Sequence, residues 1–326
     1  MASGDVALGF FFLSQTVLGI LGNSALLFCL IVADFCGNRT KKPTDLLVKH
    51  LTTANFIVLC KGIPQTIAAF SQTHYLDYAS CSLTLYFHRV ARGVSLGSTS
   101  LMSVFQAITI SPSNSMWAQF KVKAPRIIGP SLGLCWTIQI LLYIFIPWYT
   151  TDIKGQQNIT GIIDLGYCVV MNPGRKIITV NIILHIFNDF IFLGMMMWAS
   201  SYMVFILFNH KERVQHIHSS LSSKSSPETR ATQSILILVS CFVLFYIVSI
   251  VFTAYLSLQD VVTKWLSYTG VAMSACFPAF CPFLLIRHYT SLFRICCTCS
   301  FQTVIYPTDA QKSKICGIFI PFSISL

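Results

Sequence analysis

The sequence predicts an all-α membrane protein, a bundle of seven transmembrane helices with an extracellular N-terminus. Three observations lead to this prediction. Of the 326 residues, 54% are hydrophobic and only 10% are charged, whereas a soluble domain carries about 25% charged residues. The apolar residues form blocks that reach the roughly 20 residues needed to cross a hydrocarbon core. The basic residues are concentrated in alternate connecting segments, as in cytoplasmic loops.

Five blocks contain no Asp, Glu, Lys or Arg: 6–33, 93–120, 127–151, 231–259 and 265–286. Two further stretches qualify with isolated interruptions, one broken by Lys49 and Lys61 and the other by Asp189. The predicted spans are approximately 6–33, 46–70, 81–112, 127–148, 177–208, 231–258 and 265–286. They form one transmembrane domain, residues 1–287, which a cytoplasmic tail follows, residues 288–326.

The order of the elements follows from the segments between the blocks. Span one has no basic residues before it, so we expect it to serve as its own insertion signal and to stay in the protein. The first inner turn, 34–43, contains RTKKP, and SPSNSMWAQFKVKAPR joins span three to span four. The one sizeable exterior segment is 149–176. The polar, Ser-rich segment HKERVQHIHSSLSSKSSPETR is the third inner loop, and a brief exterior turn joins spans six and seven.

The net charge of +11 is explained by topology. With the N-terminus outside, 14 of the 22 Lys and Arg residues lie on the inner side, four lie outside and four lie within spans. This bias is typical of cytoplasmic loops next to anionic lipid. It argues against a nucleic-acid surface and for a multi-pass membrane protein.

The 13 cysteines are sorted by compartment. Only Cys81 and Cys168 fall at or beyond the outer boundary, and such a pair should form a disulfide; two free thiols are the alternative. A second group, CCTC, follows the last span, where palmitoylation is predicted and unmodified thiols are the alternative. Its cysteines are Cys296, Cys297 and Cys299.

Two N-x-[ST] sequons occur, and topology separates them. Asn158 lies in the long exterior segment and is the predicted glycosylation site. Asn38 lies in the first inner turn, where the glycosylation machinery does not reach it. The prediction is therefore a single glycan.

Ionisable residues within a span are costly and are candidates for function. Arg89 and Arg92 are three residues apart on span three, hence on one face. At about 1.5 Å per residue, Arg92 lies about 16 Å below Cys81, and Asp189 lies about 15 Å below the outer end of span five. An ion pair between Asp189 and either arginine is geometrically possible. The second positive charge then faces a cavity, where it binds an acidic or polar ligand or stabilises the resting state. The alternative is that it snorkels or bonds to carbonyls; His185, one turn before Asp189, is either a cavity residue or a satisfied interior histidine.

The sequence contains no HExxH, GxSxG, Walker loop or dinucleotide-binding glycine motif. An intramembrane protease would need paired carboxylates, and no second acidic residue lies within a span beside Asp189. Cysteine and histidine spacing does not match a zinc site. The sequence therefore predicts a protein that is not an enzyme and has no metal or cofactor.

The strings within and between the spans resemble the vomeronasal type-1 pheromone receptors, a family of G-protein-coupled receptors. The resemblance extends from about Gly9 to Arg294 and rests on GILGNSALL, HRVARGVSLGSTSLMSVFQAITISP, NSMWAQFKVKAP, MMMWAS, HKERVQHIHSS, SSPETRATQSILILVS and FPAFCPFLL. The exterior NIT sequon before LGYC also fits. The rhodopsin-type DRY and NPxxY motifs are absent, as in the pheromone family.

The resemblance implies a chemosensory receptor that binds a pheromone or another small ligand in the outer half of the bundle and activates an inhibitory-class G protein. The expected ligand-binding residues are Arg89, Arg92, His185 and Asp189. The expected G-protein contacts are Lys121, Lys123, Lys211 and Arg213, whose alternative explanation is inner-side topology alone. Family members often carry basic residues where Ser113 and Met116 stand, so their absence weakens the expected G-protein contact.

Two alternatives remain at this point. A bitter taste receptor has the same architecture, although the inner-loop strings favour the pheromone type. A transporter or channel should show repeat symmetry or polar residues along consecutive turns, and neither appears in the sequence.

Overall fold

The computed structural model describes residues 3–35, 42–71, 76–112, 117–149, 162–164, 169–171, 175–217, 236–249, 251 and 264–288. These ranges contain the helices α1 Ser3–Phe35, α2 Pro43–Cys60, α3 Gly62–Ser71, α4 Tyr78–Ile110, α5 Ala118–Leu142, α6 Arg175–Ile217, α7 Leu236–Ser249 and α8 Lys264–His288. A 3-10 turn, Ile146–Tyr149, follows α5. In the predicted exterior segment, β1 Ile162–Asp164 pairs antiparallel with β2 Val169–Met171.

Several helices of the described chain are apolar enough for a membrane. Four segments have the length and composition to cross it, namely Gly9–Phe35, Pro43–Phe70, Ala79–Ile110 and Ile183–Asn209, and Leu236–Ser249 and Ala272–Ile286 are shorter apolar helices. With α2 and α3 as two parts of one span, the helices make the seven segments that the sequence predicts.

Span two is broken where the sequence predicts a continuous helix. Cys60 ends α2 and Gly62 begins α3. Pro64 has no backbone N–H, so the carbonyl of Cys60, four residues earlier, loses its helical donor. The break places Lys61 between the two helices.

Two helices extend beyond the predicted spans into segments expected to be inner loops. Helix α5 begins at Ala118, so Lys121 and Lys123 lie on its first turns. Helix α6 continues to Ile217, so Lys211 and Arg213 are helical as well. The loop assignment of these four basic residues was therefore wrong. A search for long apolar blocks identifies only the apolar part of a helix and misses the polar turns that extend beyond it.

Helix α4 is at the centre of the bundle, where it contacts α2, α5 and α6. Helix α1 packs against α2, α3 and α8. One cluster of buried apolar side chains draws from all seven segments, and its members include Leu26, Leu51, Leu96, Leu132, Met196, Phe242 and Phe277. A single core therefore holds the bundle together.

The distribution of polarity fits a lipid solvent. Large apolar side chains are exposed on the described helices; Phe190, for example, is 73% exposed. Asn23, Asn55 and Thr99 are 0% exposed at the centre. Because lipid tails offer no hydrogen bonds, polar side chains in a membrane bundle turn inward, where they find partners.

Helices α4 and α5 approach closely at two glycines. Gly93 and Gly97 form a small-xxx-small pattern on one face of α4, which permits close contact between membrane helices. A Cβ atom at Gly97 would overlap Cys135 Sγ, and one at Gly93 would overlap the side chain of Gln139. The two glycines therefore set the spacing of these helices.

Replacing Gly97 by leucine is expected to destabilise the folded protein by about 1–3 kcal/mol, because overpacking displaces α5. The measurement is the melting temperature of the purified protein in detergent. Gly133→Leu is the matched control, since a Cβ atom there has nothing within 4 Å. Equal melting temperatures for the two variants would contradict the close approach.

Candidate functional site

Charged and aromatic side chains from four helices meet in one network, here called the polar cluster. Helix α4 contributes two arginines, the end of α5 a tyrosine, α6 a histidine and an aspartate, and α7 a tyrosine. The members are Arg89, Arg92, Tyr143, His185, Asp189 and Tyr246.

His185 joins α4 to the end of α5. Arg89 Nη1 lies 3.1 Å from His185 Nε2, and Tyr143 Oη lies 2.9 Å from His185 Nδ1. Because a guanidinium can only donate, Nε2 is the acceptor and the neutral ring carries its proton on Nδ1. Each ring nitrogen of His185 therefore has a hydrogen-bond partner.

Asp189 is held by hydrogen bonds on both carboxylate oxygens. Tyr246 donates its hydroxyl to Oδ2, and Asn188 Nδ2 donates to Oδ1 at 3.3 Å. Gln139 Nε2 donates to Asn188 Oδ1 at 2.9 Å, which extends the network to α5. His185 Nδ1 is 3.9 Å from Asp189 Oδ2.

The structure connects Arg92 to Asp189 through a tyrosine. The Arg92 guanidinium lies 4.9 Å from the centre of the Tyr246 ring, a cation–π distance, and the hydroxyl of that ring binds Asp189. Among the described residues, no ion pair joins Arg92 directly to Asp189. The direct Arg92–Asp189 pair was one alternative from the sequence, and the described residues show a link through Tyr246 instead.

A cavity adjoins the polar cluster. Its aromatic walls are Phe242, Phe245 and Phe277, and Arg92 and Tyr246 also line it. Of the four predicted ligand residues, Arg92 belongs to the lining that the structure describes, and the other three lie in the network that supports it.

Residues 6–298 match the family model described as the vomeronasal organ pheromone receptor family. The chain belongs to this family. The membership confirms the resemblance found in the sequence and decides against the bitter taste receptor.

This member of the vomeronasal receptor family is similar to several curated receptors over nearly its whole length. It is 47% identical to vomeronasal type-1 receptor 4 of Homo sapiens, with 91% of this chain and 98% of that receptor covered. It is 46% identical to human vomeronasal type-1 receptor 2, with 92% and 76% covered. It is 28% identical to olfactory receptor class A-like protein 1 of Danio rerio, with 90% and 93% covered.

The fold is similar to that of squid rhodopsin in its crystal structure. The TM-score is 0.68 at 16% identity, and the match covers 94% of this chain and 88% of that one. The heptahelical fold predicted from the sequence is thus confirmed. Family and fold together make this vomeronasal family member a chemosensory G-protein-coupled receptor and a multi-pass protein of the plasma membrane, and both are those of receptors and not of enzymes.

The segments predicted to lie on the inner side of the membrane meet in a ladder of rings. The Trp117 ring lies 5.4 Å from that of Trp198, which stacks on Tyr202 at 6.0 Å. The Tyr202 hydroxyl is 3.0 Å from that of Ser111. The ladder joins the end of α4 and the start of α5 to α6.

Several predicted sites fall partly or wholly outside the described residues. Cys81 takes part in a disulfide, while Cys168 lies outside the described residues, so their pairing stays a prediction. The glycan at Asn158 and the palmitoylation of Cys296, Cys297 and Cys299 lie outside them as well. On α5, Lys121 is half-buried and Lys123 is exposed.

Tyr246, Tyr143 and Gln139 are site residues that the sequence analysis missed. A tyrosine inside a charge-free block resembles any other aromatic wall residue, and Gln139 carries no charge. The one signal in the sequence was the requirement that buried charges find partners, which points to a polar neighbour without naming it.

Proposed function

We propose that this member of the vomeronasal receptor family binds a small pheromone-like ligand in the cavity beside the polar cluster and activates an inhibitory-class G protein at the predicted inner end of the bundle. The supporting observation is that two residues of the cavity wall also connect helices. Arg92 on α4 faces Tyr246 on α7, which binds Asp189 on α6. A ligand that contacts this wall therefore favours one arrangement of three helices over another, which is the condition for a conformational response.

The predicted inner-side contacts of the G protein are Lys121, Lys123, Lys211 and Arg213. Their support is the position of all four on helical extensions beyond the apolar spans. Separation of α4 from α6 would open a groove between these extensions. For the helices to separate, the contacts of the ladder from Ser111 to Trp117 must break. The inhibitory class is supported by the family resemblance alone.

Filling the cavity tests the ligand site. Met273→Trp places a large ring in its wall and is expected to lower the potency of an activating odorant by about tenfold or more, equivalent to at least about 1.4 kcal/mol. The readout is the ligand-dependent fall in cyclic AMP in cells that express the receptor. Phe283→Trp, on the same helix at a side chain that is 49% exposed, is the control and should respond normally.

Surface level in this experiment is measured with an antibody against an N-terminal tag on intact cells, which also tests the extracellular N-terminus. A tag that is reached only after detergent would contradict the orientation. Normal potency in Met273→Trp at a normal surface level would contradict the cavity as the ligand site. Ligand-dependent flux without a change in cyclic AMP would favour the transporter alternative.

A further inference from the structure

A second cavity, here called the side chamber, lies between α1, α2, α3, α4 and α8. Its polar lining consists of Gln15, Thr16, Lys61, Gln65, His88 and Ser274. None of these residues belongs to the polar cluster, and the family comparisons assign none of them a role.

The side chamber adjoins the cavity beside the polar cluster. Val58 and Ser274 line both spaces. Because the two spaces share these residues, they are best described as two compartments of one site, an aromatic compartment and a smaller polar one.

The polar compartment carries an excess of positive charge. Lys61 makes no hydrogen bond or ion pair with another residue in the part of the chain that the structure describes. No Asp or Glu is among the described residues that line the side chamber. Asp189 is occupied by Tyr246 and Asn188.

Lys61 is also too deep to be explained by solvation at the membrane surface. It lies ten residues before the end of α3 at Ser71, about 15 Å along the helix. An ammonium at this depth is costly unless an anion or a set of acceptors faces it. Lys49, on the same span, has such a partner in Asp34.

We propose that the side chamber binds the anionic group of the ligand on Lys61, while the apolar body of the ligand lies against the aromatic walls of the adjoining cavity. The ligand class is a small organic amphiphile with one carboxylate or an equivalent anionic group. This inference rests on the proposed function, since it names the chemistry of the ligand for the same site. Lys61 is a binding residue that the sequence analysis treated only as an interruption of a span.

The experiment uses the full-length receptor in nanodiscs of uncharged lipid. The probes are medium-chain n-alkanoates and n-alkanols of the same chain lengths. Thermal unfolding is followed at increasing probe concentration. The alkanoates are expected to raise the melting temperature of the parent and of Lys61→Arg. In Lys61→Met the concentration for half of this effect rises at least tenfold, while the response to alkanols stays as in the parent and shows that the variant is folded.

Lys49→Met is the matched control, because it removes a lysine from the same span outside the chamber and should keep the parent's response to alkanoates. The proposal is overturned if no alkanoate stabilises the parent, or if Lys61→Met responds to alkanoates at the parent's concentrations. Failure of the proposed function is distinguishable. If stabilisation by alkanoates depends on Lys61 but cells show no G-protein response, the anion site stands and the proposed signalling function is contradicted. If an uncharged ligand signals normally but no alkanoate stabilises the receptor, the proposed function stands and the anion site is contradicted.

Discussion

Replacing Asp189 by asparagine is expected to lower the free energy of unfolding by about 3–5 kcal/mol, the cost of removing one partner from a buried charged network. Asparagine has nearly the same shape and can still accept from Tyr246, so the change isolates the negative charge. The polar cluster would then contain two arginines, Arg89 and Arg92, and no carboxylate. We expect little of the variant at the cell surface and a clearly lower melting temperature for the fraction that is purified.

Two further variants make this result specific. Asp77→Asn removes an exposed carboxylate just before α4 and should change neither surface level nor melting temperature. Arg92→Gln in the Asp189→Asn background removes the excess charge and should recover part of the loss. If Arg92→Gln instead lowered stability by the same amount with and without Asp189, the two residues would not be coupled.

The charged residues of the site could be predicted because a charge in a span is conspicuous. Arg92 and Asp189 were placed at matching depths by the rise per residue alone, and the structure brings them to the same tyrosine. The tyrosine itself could not be predicted. Which residue of α7 faces α4 and α6 depends on the rotation of each helix, and a uniformly apolar block gives no periodic signal for it.

The sequence analysis identified two lysines as interruptions of span two but assigned no role to either. Lys49 and Lys61 look alike there, two lysines in one apolar stretch. The structure gives Lys49 a carboxylate on α1 and places Lys61 at a helix break beside a cavity. The break follows from Pro64, which was visible, but the neighbour of each lysine is set by tertiary packing.

Two strings that carry the family resemblance contact one another in the fold. Asn23 of GILGNSALL is 0% exposed and donates from Nδ2 to the carbonyls of Gly19 and Pro278, at 2.8 and 2.9 Å. Pro278 belongs to FPAFCPFLL on α8. Because Pro282 has no N–H, the carbonyl of Pro278 lacks its helical donor, and Asn23 supplies one from α1.

Replacing Asn23 by aspartate should therefore abolish the folded receptor. An ionised aspartate has no donor and would place negative charge against two carbonyl oxygens, and a protonated one could satisfy only one of them. A buried carbonyl without a donor costs about 1–3 kcal/mol, and a buried charge costs more. The measurement is the surface level and melting temperature of Asn23→Asp, with Ser14→Ala on the same helix, at an exposed hydroxyl, as the control that should not change.

The proline explanation has a sharper test in a double-mutant cycle. Asn23→Ala alone leaves the Pro278 carbonyl without a donor and should cost about 1–3 kcal/mol. Pro282→Ala restores a backbone N–H four residues after Pro278, so that α8 can satisfy the carbonyl itself. In that background Asn23→Ala should cost clearly less, and the difference measures how far Asn23 substitutes for the hydrogen bond that proline removes. An equal cost in both backgrounds would show that Asn23 stabilises the bundle by some other contact.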